Sequence, residues 1–220
     1  MREFPLLGYG GLLFVRLSDE HENGLEAFLD DLAEDHFFVP GFAMTVKAPA
    51  PMVIENAFDE SHFRPVHGVS NEPEFTIRPS EHGEFAVEGM FEVAPSPWQR
   101  SGNGEANVTA PFVARAFSPH LVISELGGSH PYVVITGATP VDEQYTLVRV
   151  SLAVPPEADG TPPEAELCRY LLRQSESGIA TDATIWEHLS FDVDPSLSPQ
   201  DTAVVEFERF CERFKAARAS

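Results

Sequence analysis

Apolar residues recur along this chain with two different periods. In "EFAVEGMFEV", Phe85, Val87, Phe91 and Val93 alternate with Ala86, Glu88, Met90 and Glu92. A period of two places successive side chains on opposite faces of an extended backbone, so the segment predicts a strand with one buried face. "EANVTAPFVARAF", "HLVISEL", "PYVVITGATPV" and "QYTLVRVSLAV" continue the pattern. Gly, Pro, Asn and Asp clusters separate them, as the turns of an antiparallel meander require. "GGLLFVRLS" and "FFVPGFAMTVKAP" read as further strands.

The period lengthens elsewhere. In "ENGLEAFLDDLAEDH", Leu25, Phe28, Leu29 and Leu32 lie at the spacing of an amphipathic helix. A second helix is predicted from about Pro51 to His67. The C-terminal third is helical in pattern, with Leu167, Tyr170 and Leu171 on one face. A last helix has Ser198 as cap, Pro199 in the first turn and Asp201 near the positive end of its dipole. Ala203, Phe207, Phe210, Cys211 and Phe214 then form its apolar stripe. These elements predict an α+β fold in one domain over residues 1–220: a helix, about six or seven antiparallel strands, then long helices across the sheet. A cavity between sheet and helices is expected.

Composition narrows the classes. The chain has 220 residues, 43% of them hydrophobic, enough for a sizeable core. No apolar run reaches the roughly 18 residues of a membrane span. The first twenty residues read as a strand rather than a signal peptide, so a cytoplasmic location is expected. Asp and Glu number 35 against 14 Lys and Arg, a formal charge of −21, which argues against nucleic acid or an anionic membrane as partner. Two cysteines, Cys168 and Cys211, are too few for a disulfide framework or a cysteine-rich metal cluster.

One segment, "VIENAFDESHFRPVHGVS", carries unusual chemistry. His62 and His67 flank Pro65, and Asn56 and Asp59 precede them at intervals of three. Imidazole is the commonest protein ligand of mid-row divalent metals. Residues five apart on a regular helix point about 140° from each other. Pro65 removes an internal hydrogen bond and loosens the backbone, so a distorted turn can bring the rings together. A carboxylate would then complete the two-histidine, one-carboxylate triad of non-haem iron(II) oxygenases. Spacing alone leaves the ordinary alternative open, a surface pair or a satisfied core pair.

"ENAFDESHFRPVH" resembles the mononuclear-iron motif of Rieske-type non-haem iron oxygenases, Asn-x-x-Asp-x-x-His-x4-His. Asn56, Asp59, His62 and His67 match it position by position, and Phe63 fits the common His-Phe. "TDATIWEHLSFDVDPSLSPQDTAVVEFERF" is similar to the closing segment of the 3-ketosteroid 9α-hydroxylase and cholesterol 7-desaturase branch. There the Asp-x-x-Ile-Trp-Glu run supplies the carboxylate, which Asp182 matches, followed by Ile185, Trp186 and Glu187. "GATPVDEQYTLVRVSLAV" and "YGGLLFVRLS" are similar to other stretches of the family.

The resemblance implies a helix-grip fold, a curved antiparallel sheet wrapped around a long C-terminal helix and enclosing an apolar pocket. It implies that His62, His67 and Asp182 hold Fe(II), that Asn56 sits close to the metal, and that Asp59 bridges an iron ligand to the electron-delivering cluster of a neighbouring subunit. A carboxylate beside a ligating imidazole also orients the ring and raises its basicity. Phe63 and Trp186 are candidates for the substrate-pocket wall. A homotrimer is implied too, since electrons cross between subunits in the family. His21, His36, His82, His120, His130 and His188 lie in turns or at element ends and are expected to be solvated; Trp98 lies in a loop.

The family also carries a Rieske domain, whose [2Fe–2S] cluster needs Cys-x-His and Cys-x-x-His pairs. Neither pair occurs here: Cys168 is followed by Arg-Tyr and Cys211 by Glu-Arg. The chain is expected to start about where the Rieske domain would end. Three readings follow. The chain is an oxygenase component acting on an apolar, polycyclic or aromatic substrate, fed by a separate Rieske or ferredoxin protein and an NAD(P)H reductase. Or it is a hydrophobic-ligand-binding protein that keeps the metal site without redox turnover. Or it is a metal-dependent enzyme with another oxidant or a non-redox reaction.

Overall fold

The computed structural model describes residues 3–17, 23–95, 107–128, 130–189 and 201–216. In chain order these form a hairpin of β1 (Leu6–Tyr9) and β2 (Leu12–Val15), then α1 (Leu25–Asp35), β3 (Phe37–Val46), α2 (Ala50–Glu55) and α3 (Phe63–His67). There follow β4 (Thr76–Arg78), β5 (Phe85–Val93), β6 (Val108–Ser118), β7 (Leu121–Leu126), β8 (Tyr132–Pro140) and β9 (Thr146–Val154), then α4 (Ala165–Trp186) and α5 (Thr202–Ala216). Strands β3 to β9 make one antiparallel sheet in the order β3-β9-β8-β7-β6-β5-β4. The meander from β5 to β9 is the one the alternating segments predict. Strand β3 closes onto β9 at one edge.

Alternation along the strands sends side chains to two cores. On one face Val87, Phe112, Val148, Val150 and Leu152 pack with α2, α4 and α5, through Ile54, Leu171 and Phe207 among others. On the other face Ile123, Val133, Ile135 and Ala153 pack against Leu29 and Leu32 of α1 and Leu12 of the hairpin. The sheet therefore carries the long helices on one side and the N-terminal elements on the other. Helix α4 lies on β3 and β9, while α5 lies on β5 and against α2.

Three details depart from the sequence reading. The segment from Pro51 to His67 is not one helix: α2 stops at Glu55, a turn follows, and Glu60–His62 form a 3-10 turn before α3. Strands β1 and β4 carry too few residues to show a period. His36 is half-buried rather than solvated, and burial lowers its pKa. Ser198, Pro199, Trp98 and His21 lie outside the described residues.

Candidate metal centre

The break after α2 positions the histidines. Phe58 is fully buried, stacked on Phe207 of α5 at 4.8 Å and edge-on to Phe85 of β5 at 5.0 Å. Holding this ring in the core forces the chain to turn there. Asp59 then caps the 3-10 turn, its Oδ1 accepting from Ser61 N at 3.0 Å and from the Ser61 hydroxyl at 2.6 Å. Pro65 is the third residue of α3, where its missing N–H is one the helix start leaves unpaired anyway. Gly68 ends α3 at φ 69°, a left-handed conformation that suits glycine.

This broken path brings His62 and His67 together. Their rings are 4.9 Å apart between centroids, and their Nε2 atoms are 3.1 Å apart. Asp182, in the last full turn of α4, completes the group. Its Oδ1 lies 3.2 Å from His67 Nε2, and one ligand atom from each of the three residues lies within 4.8 Å of the others. The Asp182 side chain is 7% exposed, and its Oδ1 makes no hydrogen bond in spite of that contact. A buried carboxylate oxygen left so is costly unless a cation compensates it.

Protons tell the same story. His62 Nδ1 lies 2.6 Å from the Asp59 carbonyl oxygen, which can only accept, so Nδ1 carries the proton and Nε2 keeps its lone pair. The Asn56 amide nitrogen lies 3.1 Å from that Nε2. Burial lowers the His62 pKa, which favours the neutral ligand form. A single proton on His67 Nε2 can serve one neighbour, His62 or Asp182. A cation serves all three. Atoms about 2.1 Å from one ion and at right angles are about 3.0 Å apart, close to the separations of 3.1 and 3.2 Å found here. The donor set of two imidazoles and one carboxylate fits non-haem iron.

Asn56, His62, His67 and Asp182 therefore meet at one point. The Asp59 carboxylate Oδ2 lies 3.7 Å from His62 Nδ1, and the residue reaches that ring through its backbone carbonyl. Phe63 packs on both imidazoles, at 4.2 Å from His62 and 5.7 Å from His67, and joins a cluster with Phe75, Phe91 and Phe112. Trp186 is buried in the main core one turn beyond Asp182. His188 turns away, its Nδ1 bonded to the Thr184 carbonyl. Sequence reasoning misses Gly178, one turn before Asp182: a Cβ there would meet the His67 ring at 3.8 Å. The four-residue interval to Asp182 is the signal that points to it.

Comparison with known proteins agrees. Residues 22–214 match the family model of the 3-ketosteroid 9α-hydroxylase C-terminal domain. No curated protein sequence matches the chain. Among solved structures, dicamba monooxygenase bound to 3,6-dichlorosalicylic acid superposes with a TM-score of 0.74 at 16% identity, covering 99% of this chain and 71% of that one. NdmB of Pseudomonas putida CBB5 gives 0.66 at 18% identity, covering 97% of this chain and 61% of that one. NdmA of the same organism with caffeine gives 0.64 at 17%, with coverages of 98% and 62%. The chain thus spans roughly two thirds of the length of these proteins. With that match across nearly the whole chain, the protein belongs to the family of the 3-ketosteroid 9α-hydroxylase C-terminal domain, the catalytic domain of Rieske-type oxygenases.

Proposed function

We propose that this chain is the catalytic component of an iron(II)-dependent oxygenase that hydroxylates or desaturates a C–H bond of an apolar substrate. The observation that carries the reading is the convergence of His62 Nε2, His67 Nε2 and the unpaired Asp182 Oδ1. Iron(II) held by these three atoms would supply O2 activation, with positions left open beside the protein ligands. For hydroxylation, one C–H bond and O2, with two electrons and two protons, give C–OH and water. Cys168 and Cys211 are both buried in the helices, and burial raises both thiol pKa values, that of Cys211 to about 12. Neither thiol belongs to a Cys-x-His or Cys-x-x-His pair, and the donor of the two electrons proposed here is a Rieske or ferredoxin iron–sulphur protein with an NAD(P)H reductase.

The protein's part is to bind, orient and keep dry. The Asp59 carbonyl fixes the His62 tautomer, and Asn56 braces its metal-facing nitrogen. Phe63, with Phe75, Phe91 and Phe112, forms an apolar wall beside the imidazoles and excludes water there. Asp59, partly exposed next to a metal ligand, is the side from which electrons are expected to arrive.

Metal analysis is the test. Wild type purified with Fe(II) is expected to hold about one iron per chain, and Asp182→Ala and His67→Ala are expected to lose it while keeping the far-UV signature of the fold. Iron retained in both variants would sink the proposal. An apolar ligand at full occupancy with no iron would instead favour the ligand-binding reading. O2 uptake with an added Rieske ferredoxin and reductase then separates the oxygenase from a non-redox enzyme.

A further inference from the structure

A cavity of about 700 Å³ lies between α2, α5 and one end of the sheet, and it shares no residue with the metal centre. Helix α5 lines it with two adjacent rows. Phe207, Cys211 and Phe214 follow one another at intervals of four and three, which keeps them on one helix face. Glu208, Glu212 and Lys215 repeat the same intervals one residue on, so a charged row runs beside the apolar one. Glu55 enters the cavity from the end of α2. The turn between β6 and β7, through Pro119 and His120, and Pro140 at the end of β8 close the opposite side. An Ala138 N–H that donates to the His120 carbonyl at 2.8 Å ties that turn to β8.

The charges on the wall are unbalanced. Lys215 Nζ donates to Glu212 Oε1 at 2.6 Å, so the one lysine of the wall is already paired. Among the described residues neither Glu55 nor Glu208 forms an ion pair. Glu55 is half-buried with Glu208 and Asp59 as its acidic neighbours, and burial first, then those two charges, raises its pKa to about 7. A cation among these carboxylates would offset both causes. The size and mixture suit a small molecule, since ligand cavities run to roughly 300–1,000 Å³ with apolar walls and a few placed polar groups.

We infer that this cavity is a second binding site, which takes an organic ammonium ion carried on an apolar body. The ammonium lies between the Glu55 and Glu208 carboxylates, and the body lies on the Phe207–Phe214 row and the prolines across from it. A neutral molecule of the same shape gains only the apolar contact, and an anion meets two like charges. The site does not depend on the oxygenase reading, because no metal ligand lines it.

The test uses the purified 220-residue chain and two matched probes, 4-phenylbutylamine and 4-phenylbutanol, which differ in ammonium against hydroxyl. Titration calorimetry at about pH 8 keeps Glu55 largely ionised, and about 0.15 M NaCl screens diffuse attraction to the acidic surface. Wild type is expected to bind one amine per chain, at least about tenfold tighter than the alcohol, as hydrogen bonds to a charged group provide. Glu55→Gln and Glu208→Gln are each expected to lose most of that preference while the alcohol affinity stays. Glu208 is exposed, so its variant carries the comparison should Glu55→Gln not fold. Glu166→Gln removes the same charge from an exposed position on α4 outside the cavity and is expected to keep the preference. Equal affinity for the two probes, a preference unchanged in both cavity variants, or a loss as large in Glu166→Gln overturns the inference. So does an amine that does not bind wild type at millimolar concentration.

Discussion

Glu55 ends α2 with its carboxyl largely withdrawn from water and its neighbours Glu208 and Asp59 also acidic. Burial first, and those charges second, raise its pKa from 4.5 to about 7. An acid whose folded pKa lies above its unfolded one binds more protons when folded, so stability falls as pH rises between the two values. The penalty is absent below the unfolded value and complete above the folded one, about 2 kcal/mol after allowing for solvent screening. Glu55→Gln is therefore expected to leave the urea midpoint unchanged at low pH and to raise it at pH above about 8; equal shifts at both would contradict this. The candidate metal ligands are legible at this scale because each carries ligand chemistry at a recognisable spacing in its segment. Two imidazoles stand five residues apart, with an Asn and an Asp upstream at intervals of three, and Asp182 sits on a helix face whose flanking members are apolar. The burial of Glu55 is not legible, because it depends on where α5 packs.

At the scale of elements, an uninterrupted helix from Pro51 to His67 would hold the histidines about 140° apart. The observed break after Glu55 lets both rings face Asp182. Pro65 marks a disturbance in the sequence, yet the break itself falls earlier, at Phe58, because that ring seats between α5 and β5. Helix α4 has the converse property: it is regular, and its regularity sets Gly178 and Asp182 on one side. Gly178→Ala is expected to stabilise the helix by about 0.5–1 kcal/mol and to leave iron content intact, since its Cβ finds ordinary contact distance. Gly178→Leu is expected to push on His67 and lower iron content severalfold at unchanged helicity. Iron content equal in the two variants would mean that the helix does not press on the ligand. Strands β5 to β9 are legible from alternation; β1 and β4 are not, since three or four residues carry no readable period.

The whole molecule carries a formal charge of −21. Like charges repel most when the chain is compact, and salt screens them. The melting temperature is expected to rise by several degrees between about 0.05 M and about 0.5 M NaCl; a fall would show that attractive ion pairs such as Arg78–Glu88 outweigh the repulsion. Among the described residues no helix is long and apolar enough to cross a membrane. The sequence by itself determined the type of the longer elements, α1, α4, α5 and β5 to β9, and the antiparallel meander, because hydrophobic period follows directly from backbone geometry. It also determined the chemical identity of the candidate metal ligands, because imidazole and carboxylate are properties of residues. Only the tertiary structure decided that the ligands meet. His67 and Asp182 are separated by most of the sheet in sequence, and their 3.2 Å approach depends on α4 lying across β3 and β9. That packing is a sum of many side-chain contacts between distant segments, and local periodicity holds no record of it.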